Sequence, residues 1–281
     1  MKRVLTIQDI SCVGRCSLTV SLPVLSAMGL QTSILPTAVL STHTGFPNPT
    51  IVDLTEEIDP IVQHWKQQNI TFDGICTGYL RSAQQIEVML QLFSAFKGEG
   101  NRIFVDPAMA DNGKLYSGFD NAFVEKMKTL CTRADVLLPN VTEACLLTDT
   151  PYAEDYTKTQ IQTLLKKLSD LGAGTVLITG VSISETQTGV MGYQRQSNTF
   201  FEYFHEKLPH SYPGTGDIFT AVCSGAMVLG KPCQAAAELA ADYTARCVRR
   251  TMECGSDRRF GVAFEPEIPA LLSLLNGCPV T

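Results

Sequence analysis

Ile103-Phe104-Val105-Asp106-Pro107 decides how this chain is read: a short apolar run, closed at once by an acidic residue and a proline. The pattern recurs. Val136-Leu137-Leu138 ends in Pro139-Asn140, and Val176-Leu177-Ile178 ends in Thr179-Gly180. Residues 4–7, 33–35 and 74–76 are further short apolar runs bounded by turn-forming residues, and all six read as strands. Between them lie amphipathic stretches expected to be helices, over 15–29, 55–69, 82–97, 119–131 and 157–171. Strands alternating with helices call for right-handed crossovers, hence an α/β fold with a central, mostly parallel sheet and helices on both faces. Residues 188–204 read as two strands near one edge, and two helices follow at 216–229 and 232–250. The second carries an apolar stripe at Ala236, Leu239, Ala240 and Tyr243, the helical spacing. Residues 37–54, with Pro47 and Pro49, read as a loop or small flap. No repeat or linker interrupts the pattern, so a single domain over 1–281 is expected.

Composition narrows the function. Hydrophobic residues make up 44% of the 281 and charged residues 18%, a globular rather than disordered balance. The net charge of -6 argues against a nucleic-acid binder or a membrane-surface binder, while a small basic pocket for an anionic ligand stays open. No apolar run approaches the ~20 residues of a membrane span. The apolar run after Met1-Lys2-Arg3 is too short for a signal peptide. Ten cysteines are scattered without a Cys-x-x-Cys pair, which speaks against zinc ribbons and for a reducing, cytoplasmic setting. Cys12 and Cys16 fall four apart on a stretch expected to be helical, with no neighbouring His in the sequence, and read as buried thiols.

In an open parallel sheet, ligands bind beyond the carboxyl ends of the strands. Polar groups gather there: Asp106 and Asp111 after one strand, Asn140 and Glu143 after the next, Thr179 after a third. Pro213-Gly214-Thr215-Gly216-Asp217 then opens a helix. Glycines let backbone approach a ligand, and a helix N-terminus offers unpaired N–H groups to an anion. Asp217 opposes simple anion binding, but suits a base that takes the proton of an attacking hydroxyl. The plain alternative is an N-cap aspartate after a glycine turn. Asp106, Asn140 and Glu143 are hard oxygen donors suited to Mg²⁺, or else ordinary strand-end and helix-cap residues. There is no Walker-type Gly-x-x-x-x-Gly-Lys-Ser/Thr, no Gly-x-Gly-x-x-Gly after the first strand and no Gly-x-Ser-x-Gly.

The ordered series Ile7-Gln8-Asp9, Ser41-Thr42-His43-Thr44-Gly45, Thr77-Gly78-Tyr79, the stretch 105–116, Leu138-Pro139-Asn140-Val141-Thr142-Glu143-Ala144 and Gly214-Thr215-Gly216-Asp217 resembles the pyridoxal kinases of the ribokinase-like superfamily. The likeness spans residues 4 to about 250. Gly-Thr-Gly-Asp marks the superfamily, and the Thr-His-Thr-Gly, Thr-Gly-Tyr and Gly-Lys-Leu-Tyr elements point to the vitamin B6 branch. The resemblance implies a ribokinase-like fold and ATP-dependent phosphorylation of the 5′-hydroxyl of pyridoxal, pyridoxine or pyridoxamine. It makes Asp217 the base and Gly214, Thr215 and Gly216 the anion hole. It puts Asp106 and Glu143 at Mg²⁺, and Asp111, Asn140, Glu143 and Thr179 at ATP. It sets Asp9, His43, Thr44 and Tyr79 around the pyridine ring, with a structural role for His43 equally open. It also implies a homodimer and leaves room for a monovalent cation.

Three departures stand out. Asp9 replaces the serine of many relatives, and an Asp there suits a protonated pyridine nitrogen or an aminomethyl group. Ala110 replaces a glycine and should stiffen its turn, and Pro213 stands where some relatives have His. Two other readings remain: a kinase of the same superfamily acting on hydroxymethylpyrimidine or a sugar, and a non-catalytic binder of B6 vitamers.

Overall fold

A computed structural model describes residues 1–277; Cys278 lies outside the described residues. The described chain divides into two compact units, one built from residues 1–75 and the segment from Leu208 onward, the other from residues 76–207.

The first unit starts with β1 (Arg3–Ser11), α1 (Leu18–Ala27), β2 (Gln31–Leu40), β3 (Ile51–Asp53) and α2 (Thr55–Gln67). β1 and β2 run parallel, and β3 pairs antiparallel with the end of β2. Their register slips between Gln8 and Ile10, opposite Pro36, which has no N–H to give to the ladder. Two expectations change here. The first helix begins at Leu18 rather than 15, because Ser17 has φ 53 and cannot continue a helix; Cys12 and Cys16 therefore lie in the preceding loop, where Cys12 is exposed and Cys16 half-buried rather than both buried as expected. The stretch 37–54 is only partly a loop, since its two ends complete β2 and form β3.

β4 (Gly74–Thr77) carries the chain into the second unit. There follow α3 (Ala83–Phe96), β5 (Arg102–Val105), β6 (Ala110–Asp111), β7 (Lys114–Leu115), α4 (Asn121–Cys131), β8 (Val136–Leu137), α5 (Val141–Leu147), α6 (Lys158–Asp170), β9 (Thr175–Ser184), β10 (Gln187–Gln194) and β11 (Thr199–Glu206). β5, β8 and β9 pair in parallel, and β10 and β11 add antiparallel, as expected of residues 188–204. β6 and β7 form a small hairpin whose turn, Asn112-Gly113, has positive φ at both residues.

The chain returns to the first unit with α7 (Thr215–Val228), α8 (Cys233–Glu253) and α9 (Ile268–Leu275). α7 packs on α1 and α8. The stripe Ala236, Leu239, Ala240 and Tyr243 is buried, and the Tyr243 hydroxyl donates to the Phe264 carbonyl at 3.1 Å. Parallel pairing in the interior and antiparallel pairing at β3 and β10–β11 make this the mixed, mostly parallel α/β fold expected. No described helix is long and apolar enough to cross a membrane.

Candidate active site

The first cluster forms at the mouth of α7. Gly214 is its N-cap with φ 87, and a Cβ there would stand 2.1 Å from the Arg15 carbonyl oxygen, so only glycine fits. Arg15 is also tied from the other side, its N–H donating to the Phe260 carbonyl at 3.0 Å. The loop 12–17 is thereby pinned across the helix mouth. Asp217 is the third residue of α7, not its cap. The Ser17 N–H donates to Asp217 Oδ2 at 2.8 Å, and Gln8 Nε2 stands 3.5 Å from Oδ1. Burial, and next the negative charge of Asp9, push the Asp217 carboxyl up to about 6, against the pull of the Ser17 N–H. A half-buried carboxylate with that proton affinity suits a general base near neutral pH. The N–H groups of Thr215, Gly216 and Asp217 have no acceptor within the helix, which leaves a concentration of donors beside the base.

Asp9 is buried and fully engaged: Ser17 Oγ donates to Oδ1 at 2.6 Å and Ser11 Oγ to Oδ2 at 2.9 Å. Burial raises its pKa against those bonds. His43 is buried, with both ring nitrogens bonded. Its Nδ1 accepts from the Gly45 N–H at 3.1 Å, so Nε2 carries the proton and donates to the Arg259 carbonyl at 2.6 Å. A Cβ on Gly14 would stand 2.5 Å from the same ring. Thr44, beside it, is exposed.

The second cluster gathers beyond the ends of β5 and β8 and beside Thr179, which lies within β9, because that strand runs on past the end expected after Ile178. Asn140 caps α5 and Glu143 closes the box: Asn140 Oδ1 accepts from the Glu143 N–H, and Glu143 Oε2 from the Asn140 N–H, both at 2.9 Å. Glu143 Oε1 also accepts from the Met109 and Ala110 N–H groups at 3.0 and 3.4 Å, and Asn140 Nδ2 donates to the Ala110 carbonyl at 2.8 Å. Burial, then the charge of Asp106, hold the Glu143 carboxyl well above the usual carboxylate range, opposed by those N–H groups. The Thr179 N–H donates to the Pro139 carbonyl at 2.9 Å, which brings Thr179 beside Asn140. Asp111 is exposed at the hairpin, where its Oδ1 accepts from the Asn112 N–H at 2.8 Å. The Gly113 N–H donates to Thr142 Oγ1 at 3.0 Å. Tyr79 lies in an aromatic row, 5.6 Å from Phe119, which stacks on Phe123 at 4.0 Å.

Asp106, Asn140, Glu143 and Thr179 thus come together in one unit, and Asp9, Gly214, Thr215, Gly216 and Asp217 in the other. Ser17, Ser11 and Gln8 were missed as site residues, although Gln8 lies in a quoted motif. The one signal for Ser17 was a serine directly before an apolar run. The donor chemistry fits a divalent cation held mainly by phosphate and water. Glu143 already accepts three N–H donors, which leaves Asp106 as the main carboxylate, and no group of three His, Cys, Asp or Glu able to hold a metal occurs among the described residues.

A glycine-opened helix mouth with a raised aspartate, on a mixed α/β sheet, defines a kinase of the ribokinase-like class. The chain belongs to the phosphomethylpyrimidine kinase family, whose pattern matches residues 48–261. A Bacteroides thetaiotaomicron protein provisionally assigned as a phosphomethylpyrimidine kinase, and solved with pyridoxal, is 38% identical with a TM-score of 0.93 over 100% of this chain and 97% of its own. The pyridoxal kinase of Lactobacillus plantarum is 32% identical with a TM-score of 0.90 over 99% of both chains. The pyridoxal kinase of Arabidopsis thaliana is 26% identical over 259 residues, 89% of this chain and 82% of its own. The likeness to pyridoxal kinases drawn from the motifs holds.

Proposed function

We propose that the protein phosphorylates the 5′-hydroxyl of a vitamin B6 vitamer with ATP. The observation that carries this reading is Asp217, set at a helix mouth by the Ser17 N–H with its proton affinity near neutral. In the proposed step the vitamer oxygen bonds to the γ-phosphorus, the bond to the β-phosphate bridging oxygen breaks, ADP leaves, and the hydroxyl proton passes to Asp217. The N–H groups at Gly214, Thr215 and Gly216 offset the charge on the migrating group. Asn140, Thr179 and Asp111 serve ATP in this reading, and Thr44 and Tyr79 the ring. Asp106, with Glu143 acting through water, would hold Mg²⁺, which supplies charge neutralisation at the phosphates when bound. Glu143 keeps the 107–110 turn and the cap of α5 in register.

The 281 residues act as one kinase domain: one unit is assembled from both ends of the chain, so neither works as a simple cut piece. The cytoplasmic reading is supported by nine free cysteines among the described residues, six of them buried. A homodimer and a monovalent cation rest on the resemblance alone.

Relatives named hydroxymethylpyrimidine/phosphomethylpyrimidine kinases favour a second acceptor, hydroxymethylpyrimidine, which presents the same hydroxymethyl chemistry. An acceptor panel with ATP and Mg²⁺, following ADP release, separates the two. The highest kcat/KM is expected with a B6 vitamer. Turnover confined to hydroxymethylpyrimidine or a sugar overturns the vitamer, and vitamer binding without turnover makes the protein a carrier or sensor.

A further inference from the structure

Ser17 occupies a backbone conformation that serine rarely adopts. Its φ of 53 and ψ of −132 lie outside the regions open to a residue with a Cβ, so surrounding contacts must hold it there. Two do so. The Ser17 hydroxyl donates to Asp9 Oδ1 at 2.6 Å, and the Ser17 N–H donates to Asp217 Oδ2 at 2.8 Å. Asp9 is itself fixed by Ser11 Oγ at 2.9 Å and by its place at the slip in the β1–β2 register. Its buried carboxylate therefore meets serine hydroxyls on both oxygens.

We infer that Asp9 is a positioning residue: it anchors the Ser17 hydroxyl, which keeps the Ser17 N–H aimed at Asp217. This rests on Asp217 being the base, and it gives Asp9 a role other than contact with a pyridine nitrogen. The anchor does two jobs. It holds the carboxylate of Asp217 in one orientation, and it places a donor that favours the ionised form. The other ionisable groups facing this cluster are Cys16 and His43. The Cys16 thiol is pushed up to about 12 by burial and then by Asp217, so it stays neutral. His43 is held through both ring nitrogens.

The test combines kinetics with a titration that needs no turnover. Asp9→Ala and Ser17→Ala are each expected to lower kcat about tenfold to hundredfold, with KM for ATP and vitamer nearly unchanged. The double variant should lose no more than either single one, because both cut the same link. Ser17→Gly, which reaches φ 53 without strain, should retain more kcat than Ser17→Ala and serves where the alanine variant melts early. Carbon-13 NMR of aspartate carboxyls, with the Asp217 signal assigned by its loss in Asp217→Asn, should show Asp217 titrating at higher pH in Ser17→Ala. Additive losses, an unmoved Asp217 titration, or a raised vitamer KM with normal kcat in Asp9→Ala would each overturn the inference. Near-normal turnover of Asp217→Asn would instead remove the base on which it rests, a result separate from the titration.

Discussion

Asp217 and Glu143 hold the same place in their helices, the third residue of α7 and of α5, yet the two carboxylates end in opposite states. Glu143 follows Asn140 and folds back on its own cap, accepting three backbone N–H groups in all. Asp217 follows Gly214, a cap with no side chain, and is one methylene shorter. It accepts a single backbone N–H, from a loop rather than from its own helix. Each has another carboxylate nearby, Asp106 or Asp9, which pushes its proton affinity up. The difference teaches that what caps the helix decides whether an acid in its first turn is tied back to its own cap or bonds to a distant loop. Glu143 spends three of its lone pairs on backbone N–H groups, whereas Asp217 spends one.

The contrast breaks most sharply at Asp217→Asn, which keeps shape and loses basicity. Expected is a fall in kcat of about a hundredfold to ten-thousandfold with binding of both substrates retained, measured by steady-state kinetics. In the wild type kcat/KM should rise with pH through about 6, as Asp217 ionises in the free enzyme. Near-normal turnover in the variant would erase the distinction between the two acids.

Glu143→Ala tests the backbone bonds of the other acid. Three N–H groups lose their acceptor, and urea unfolding should show a loss of about 3 kcal/mol. A midpoint equal to wild type would mean the 107–110 turn holds without it. Gly214→Ala probes the cap that separates the two cases. Its φ of 87 alone should cost about 1–3 kcal/mol, before the clash with the Arg15 carbonyl is counted. An unchanged Tm would show that the helix mouth yields.

The smallest effect sharpens the comparison through pH. The folded pKa of Asp217, about 6, lies above the ordinary 3.8, so the folded state holds that proton more tightly. Below pH 3.8 the group is protonated in both states and carries no penalty. The penalty grows as pH rises toward 6 and is complete above it. Asp217→Asn should therefore be the more stable protein at pH 8, by about 1–2 kcal/mol, with the gain gone at pH 3.5. A Tm difference independent of pH would contradict the raised pKa.

Much of this site was legible before any fold was in hand. Strand ends are legible as an apolar run closed by a polar residue: Asp106 and Asn140 follow β5 and β8 closely, whereas Thr179 falls inside β9, whose continuation to Ser184 no local signal marks. Asn140 and Glu143 were legible as metal donors or helix-cap residues, but not as reciprocal partners, and the seven residues of α5 are too few to show a helical period. Ser17 was read inside a helix over 15–29, since nothing local signals its positive φ. Its conformation is held by Asp9 and Asp217, the latter 200 positions away.

From the order of its residues alone, this chain declared alternating strands and helices, a glycine-rich helix mouth and the side chains able to do phosphoryl chemistry. Folding decided which of two first-turn acids is tied to its own cap and which is met by a loop from far along the chain. It also gave Asp9 to two serines and both ring nitrogens of His43 to backbone groups. Such outcomes depend on burial and on hydrogen bonds between distant segments, and neither quantity is a property of any local stretch of sequence.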